Sequence, residues 1–212
     1  MTRFPYLEAA RASYDTVAED YAVLVPPLVD GDTFGRAMLG AFAELVRDAG
    51  GLPVADVGCG PGHITARLDG MGLDVFGVDL SPGMVEVARR TYPRLRFDVG
   101  SMTGLDLPDG ELGGIVAWWS VLHTPPEVLP VVLAEFRRTL APGGHAVIGF
   151  HVGEGSRRPE RAYGHPVAYG TYFWQPDRMA ELLVEAGLDV VATLVSEGAK
   201  RPSAVLMARR AG

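Results

Sequence analysis

The sequence is poor in cysteine: Cys59 is its single thiol, so no internal disulfide can form. That excludes a disulfide scaffold and fits a reducing cytoplasm. Lysine is equally scarce. Lys200 stands alone among 19 basic residues, the rest being arginine, a bias expected of a GC-rich bacterial genome. Positive charge is in deficit, since 26 acidic residues leave a formal net charge of −7. A chain that grips nucleic acid shows a basic footprint, so nucleic acid is a disfavoured partner. No run approaches the ~18 consecutive apolar residues of a membrane span. Met1-Thr2-Arg3-Phe4-Pro5-Tyr6 has no apolar signal core. His, Cys and carboxylate spacings suggest no metal site. Internal repeats and low-complexity segments are absent too.

What the 212 residues do hold is apolar: 48% are hydrophobic, enough for a sizeable core in one domain, or one domain with a small appendage. The chain is organised around Val54-Ala55-Asp56-Val57-Gly58-Cys59-Gly60-Pro61-Gly62-His63-Ile64-Thr65. A short apolar run gives way to glycines at alternate positions. Ile64-Thr65-Ala66-Arg67-Leu68 can then begin a helix. Strand, glycine loop and helix is the layout of a nucleotide-type binding turn. Glycine, lacking Cβ, reaches φ > 0 and lets a ligand approach the backbone. A dinucleotide fingerprint G-x-G-x-x-G needs glycine at position 63, where His63 stands, so the spacing speaks against NAD. The alternative at this point is a glycine-rich turn that holds nothing.

The D-x-G-x-G-x-G pattern of residues 56–62 resembles motif I of the class I S-adenosylmethionine-dependent methyltransferases. Three further landmarks follow in the family's order: Asp79 at the end of the second apolar strand, Val121-Leu122-His123-Thr124 at the exit of the fourth, and Pro142-Gly143-Gly144 before the fifth. The resemblance covers residues 52–150 well and the flanks loosely. It implies an α/β fold: a doubly wound, Rossmann-like sheet of seven strands, mostly parallel with an antiparallel C-terminal strand, plus N-terminal helices. Residues 1–50 become a helical cap, and residues 51–212 the cofactor-binding domain.

The resemblance also implies a cofactor, S-adenosylmethionine, and its product S-adenosylhomocysteine. Asp56, Gly58, Cys59 and Gly60 are expected around the methionine part, Cys59 mainly as a small residue that fits. Asp79, 21 residues after Gly58, is expected on the ribose hydroxyls, because a carboxylate accepts two hydrogen bonds in a fork. Its competing use is to cap the helix at Pro82, a role that Ser81 can fill. Leu80, Met84, Gly100, Ser101, Met102 and Trp118 complete the expected cofactor set. The chain departs from the family at Ser101, where Asp commonly binds adenine, at Gly114, near which Asp is usual, and at Thr124, which replaces a second His. Adenine recognition would then rest on Met102 and its backbone N–H.

Tyr14-Asp15-Thr16-Val17-Ala18-Glu19-Asp20-Tyr21 resembles the Y-D-x-x-A-x-x-Y segment of many small methyltransferases, whose tyrosines can reach the cofactor carboxylate. Tyr14 and Tyr21 fit equally well into a packing stripe with Leu7, Ala10, Val17 and Ala18 on a helix over 6–24. Pro26-Pro27 breaks that helix, and Asp32 or Thr33 caps the next. Trp118 and Trp119, adjacent in a strand, are expected on opposite faces, one in the core and one on the cleft. His123 and His151 are candidate bases; a packed histidine is the alternative. Residues 151–173 leave the fifth strand at the ligand edge and are expected to form a mobile substrate lid. Trp119, His165, Tyr169, Tyr172 and Trp174 are the expected substrate contacts, and Arg157-Arg158 reads as a solvated pair. A helix over 176–186 and strands over 188–195 and 204–208 follow, the strands paired antiparallel through Glu197-Gly198-Ala199.

A sulfonium methyl is already activated, so rate can come from alignment and exclusion of water rather than from a triad or a metal. The expected activity is methyl transfer to an O, N or C atom of a small molecule in bacterial metabolism, secondary metabolism included. An RNA or protein methyltransferase is one alternative, disfavoured by the sequence pI of about 5.2. A non-catalytic cofactor-binding protein is the other, favoured only by the altered positions 101 and 124. The expected setting is the cytoplasm, away from membranes; monomer and homodimer stay open.

Overall fold

Short apolar strands with both faces covered dictate the architecture. In the computed structural model, which describes residues 4–197 and 201–212, seven strands form one sheet. They are β1 (Val54–Val57), β2 (Val75–Asp79), β3 (Arg96–Val99), β4 (Leu112–Trp118), β5 (Leu140–His151), β6 (Leu188–Ser196) and β7 (Ser203–Arg210). Their order across the sheet is β6-β7-β5-β4-β1-β2-β3. Strands β1 to β5 run parallel, and β7 is antiparallel to both of its neighbours. Gly198 and Ala199 of the expected turn between β6 and β7 lie outside the described residues. The helices are α1 (Tyr6–Leu24), α2 (Pro26–Gly31), α3 (Thr33–Asp48), α4 (His63–Gly70), α5 (Pro82–Thr91), α6 (Leu129–Thr139) and α7 (Pro176–Glu185).

Alternation along β4 builds the core in two layers. Ile115 and Ala117 face a cluster that includes Phe136 of α6 and Leu183 of α7. Val116 and Trp118 face the opposite cluster, with Phe42 and Val46 of α3 and Leu68 of α4. Phe42 and Phe136 are fully buried, and burial of each such ring contributes about 1.5–3 kcal/mol. The departure at Gly114 has a steric cause: a Cβ there would lie 2.5 Å from the Phe42 ring. In this chain α3 occupies the space that an aspartate would need.

Local signals act as expected, with two differences. Asp32 caps α3 by accepting from the Gly35 N–H at 2.9 Å, and Ser81 caps α5 by accepting from the Met84 N–H at 3.1 Å. Pro26-Pro27 ends α1, but the chain re-enters a helix at once. The prolines form the first turn of α2, where their missing N–H groups cost nothing. Residues 151–173 hold more regular structure than a plain loop: residues 156–157 pair with 171–172, and 161–162 with 165–166. That segment is fastened to α1. The Ala168 N–H donates to Ser13 Oγ at 2.9 Å, and His165 Nε2 meets Asp20 Oδ2 at 2.6 Å.

Candidate active site

From β1 the chain moves outward through β2 and β3, then crosses over to place β4 on the other side of β1. Such a reversal leaves a crevice beyond the carboxyl ends of the strands. Here it is a cavity of about 720 Å³, its mouth included. The loops after β1, β2, β3 and β4 form its base. Tyr6, Leu7, Ala10, Tyr14 and Tyr21 of α1 form another wall.

The glycine loop meets this cavity at two positions with different constraints. Gly58 has φ +74°, and a Cβ there would lie 2.3 Å from Ser120 Cβ, so the β1 and β4 exits touch directly. Gly60 has φ +53°, and its added Cβ would meet nothing nearer than Tyr21 at 3.8 Å. Its bare face opens on the cavity. Asp79, at the end of β2, accepts from the Gly60 N–H through one oxygen and from the Ser81 N–H through the other, each at 2.8 Å. Asp79 is therefore not free, in contrast to the sequence expectation that Ser81 would relieve it. A carboxylate has about four lone-pair sites, so each oxygen keeps one for a ligand. Burial pushes Asp79 up to about 6, against the backbone N–H groups of Ser81, Gly60 and Leu80, which pull it down.

Asp56 points away from the cavity toward α4. Its Oδ2 accepts from the Thr65 hydroxyl at 2.6 Å, while its buried Oδ1 has no partner. Burial pushes this carboxyl up to about 7. Asp15 ties α1 to the start of α5, accepting from the Ser81 hydroxyl at 2.6 Å and the Gly83 N–H at 2.9 Å. The Y-D-x-x-A-x-x-Y segment thus has a docking role that its sequence did not disclose.

Across the cavity lies a buried polar pair. His123 Nδ1 faces the Gly170 carbonyl at 2.7 Å, so that nitrogen carries the proton. Nε2 is then the acceptor, and it receives the Tyr14 hydroxyl at 2.6 Å. Tyr169 stacks on Tyr14 and meets His123 edge-on. Burial holds His123 down at about 4 and raises Tyr14 well above its ordinary value. Both groups are neutral at physiological pH.

The tryptophans do not divide between two faces. Trp118 ends β4 and packs in the core, but Trp119 lies past the strand with φ +52°. Strand alternation no longer applies there, and both rings reach the cavity, edge to face at 4.9 Å between centroids.

Of the expected cofactor residues, Tyr14, Tyr21, Gly58, Gly60, Asp79 and Leu80 line the cavity. So do Met84, Gly100, Ser101, Met102 and Trp118, and with them His123 and Trp119. Ser101 turns its hydroxyl to Thr103, 2.8 Å away. Asp56 and the buried Cys59 stand behind the loop. His151 lies outside the lining, edge-on to Trp119 at 6.2 Å. His165 is paired with Asp20 at the surface, Tyr172 lies on the short 171–172 strand, and Tyr169 covers Tyr14 from behind. Trp174, expected at the substrate, belongs to the core cluster between the sheet and α7. Sequence reasoning missed Tyr6, Ser120 and Thr124 as lining residues. Leu7 and Ala10 were visible as part of the α1 stripe, with nothing to separate cavity from core. Among the described residues no three His, Cys, Asp or Glu side chains gather as metal ligands, and no helix is long and apolar enough to cross a membrane.

Residues 54–144 match the family model of a methyltransferase domain. The chain is 30% identical over 139 residues to a demethylmenaquinone methyltransferase of Renibacterium salmoninarum, covering 65% of this chain and 56% of the relative. It is 36% identical over 126 residues to a magnesium-protoporphyrin O-methyltransferase of Rhodobacter capsulatus, covering 57% and 52%. The chain thus spans about half the length of the curated relatives it matches. Among solved structures, it resembles the 1,6-didemethyltoxoflavin-N1-methyltransferase of Burkholderia thailandensis, which holds its substrate and S-adenosylhomocysteine (TM-score 0.71, 23% identity, 98% of this chain and 89% of that one). The magnesium protoporphyrin IX methyltransferase of Synechocystis with bound S-adenosylmethionine has the same fold (TM-score 0.70, 18% identity, 100% of both chains). Residues 54–144 thus match a methyltransferase domain, and the seven-stranded sheet has the fold of these solved methyltransferases.

Proposed function

We propose that this chain transfers the methyl group of S-adenosylmethionine to a small-molecule acceptor. The observation that carries the reading is Asp79: a buried carboxylate at the cavity edge, with one acceptor site left on each oxygen, next to the open face of Gly60. Two neighbouring hydroxyls fit that carboxylate, and an extended chain fits against the bare glycine backbone. When bound, the cofactor supplies a sulfonium methyl already activated for in-line displacement. The protein's part is to align the acceptor and exclude water. Tyr14 and His123 hold a proton between them at the cavity wall, so a proton released by the acceptor can pass to Nε2 through the Tyr14 hydroxyl.

Residues 1–50 act as a cap in this reading, and 151–173 as a lid that closes with α1, supported by the Ser13–Ala168 and Asp20–His165 contacts. The lone buried thiol goes with a cytoplasmic setting. Relatives named for menaquinone and porphyrin methylation support a small acceptor over RNA or protein. Calorimetry with S-adenosylhomocysteine, S-adenosylmethionine and NAD, followed by labelled-methyl transfer to a metabolite panel, tests the proposal. Tight binding of S-adenosylhomocysteine and not of NAD is the expected result. Binding of NAD alone overturns it.

A further inference from the structure

The cavity is unusual in what lines it. Among the described residues, neither Arg nor Lys contributes a side chain to the cavity. Among the described residues Asp79 is the only carboxylate of the lining, and the acceptor sites left on its oxygens are the ones that the methyl-transfer reading gives to the cofactor. His123 is neutral, with both ring nitrogens occupied. An anionic or cationic acceptor would enter this space without a counter-charge, and an unpaired charge is poorly tolerated out of water. Much of the remaining wall is aromatic, with Tyr6, Tyr14, Tyr21, Trp118 and Trp119.

Trp119 is the odd member. A bulky residue with φ +52° occupies a backbone region that side chains rarely adopt, and such strain persists only where the surroundings hold it. Three features hold it. Its N–H donates to the Gly149 carbonyl at 3.1 Å. Its ring lies over Gly149, where a Cβ would come within 2.6 Å. Its edge meets Trp118. A notch in β5 and a strained turn after β4 thus combine to set one flat ring at the cavity. On α1, the Tyr6 hydroxyl reaches the cavity beside the Thr124 hydroxyl.

We infer that the acceptor is an uncharged, flat aromatic molecule with one polar edge, and that Trp119 is the wall that selects it. The inference rests on the methyl-transfer reading and narrows its substrate class. Flat rings stack on such a wall by offset or edge contacts that a puckered ring cannot make. Tyr6 offers the polar edge its hydrogen bond.

Four probes of similar size separate the possibilities: 2-naphthol, 2-naphthoate, 2-naphthylmethylammonium and decahydro-2-naphthol. Their binding is measured by calorimetry on the whole chain, with and without S-adenosylhomocysteine, whose own affinity is titrated separately. 2-Naphthol should bind at least about tenfold tighter than each of the others, ~1.4 kcal/mol. Trp119→Ala and Gly149→Ala, the second of which displaces the intact ring, should each weaken 2-naphthol about tenfold. Trp119→Phe should retain most of the binding, and S-adenosylhomocysteine affinity should stay within about threefold in all three variants. Urea midpoints verify that each variant is folded. The inference is overturned if the carboxylate, the ammonium or the saturated ring binds as well as 2-naphthol, or if Trp119→Ala binds it undiminished. Failure of S-adenosylhomocysteine to bind the wild type would strike the methyl-transfer reading instead, since the probe comparison is also made without it.

Discussion

The Tyr14 hydroxyl sits 2.6 Å from Nε2 of His123, 109 positions further along the chain. The bond joins the N-terminal helix to the turn after β4. The other ring nitrogen carries the connection on to Gly170, in the segment fastened to α1. Three stretches far apart in sequence thus meet at one imidazole.

Removing the phenol hydroxyl leaves Nε2 buried without a donor. Tyr14→Phe should therefore destabilise the fold by about 1–3 kcal/mol, read as a lowered urea midpoint at unchanged m-value. In a cycle with His123→Phe, the double variant should lose less than the sum of the single ones. Strict additivity would show that the two side chains act independently.

The pH dependence of stability should contain two opposed contributions. His123 is held at about 4, so between there and the ordinary 6.5 the unfolded chain binds the extra proton. Its contribution is present above about 6.5 and lost as pH falls toward 4. His63, also lowered to about 4 by burial, acts the same way. Asp56 is pushed from 3.8 up to about 7, so here the folded chain binds the extra proton. Its contribution is present below 3.8 and lost as pH rises toward 7. Asp56→Asn should gain stability relative to the wild type across that rise, and His123→Asn across the fall. Parallel stability–pH curves for wild type and either variant would refute the assignment for that residue.

Asp79→Ala should do two things at once. It leaves the Gly60 and Ser81 N–H groups without their acceptor, which should cost about 1–3 kcal/mol of stability. It should also weaken S-adenosylhomocysteine by about 1.5–3 kcal/mol, the scale of hydrogen bonds to a charged group. Since burial puts this carboxyl at about 6, wild-type affinity should fall as the pH drops below that value. Calorimetry at pH 5 and pH 8 checks both points. An affinity equally dependent on pH in Asp79→Ala would point to another group.

The two loop glycines should separate folding from binding. Gly58→Ala drives a Cβ into Ser120 and should lower the thermal midpoint. Gly60→Ala makes only ordinary contacts, with Tyr21 and Met84, so its structural cost is limited to the left-handed backbone, about 1–2 kcal/mol. Gly60→Val should abolish cofactor binding while the protein still folds. Tight binding by a folded Gly60→Val protein would remove Gly60 from the cofactor's path.

Much of the scaffold was legible because its signals are local. Apolar spacing marked α1 and α3, Asp32 and Ser81 announced their caps, and alternate glycines after an apolar run marked the β1 turn. Asp79 could be placed at a strand end by counting from that turn. The resemblance supplied the seven-stranded, mostly parallel sheet with its antiparallel C-terminal strand, which local periodicity does not contain. The N-terminal prolines misled in part, because the same residue that stops one helix can open the next.

The side chains that face the cavity were another matter. Sequence alone determined which residues are helical, which are extended and where the backbone must turn, because those choices depend on neighbours within a few positions. Tertiary structure alone decided that Tyr14 bonds His123, that Trp174 enters the core and that Asp79 holds the glycine loop. It also decided that Trp119 leaves strand geometry to lie over Gly149. Each of these is a contact between segments that only packing of the sheet against its helices brings together. The pattern of apolar residues specifies that packing as a whole, without naming the pairs that will touch.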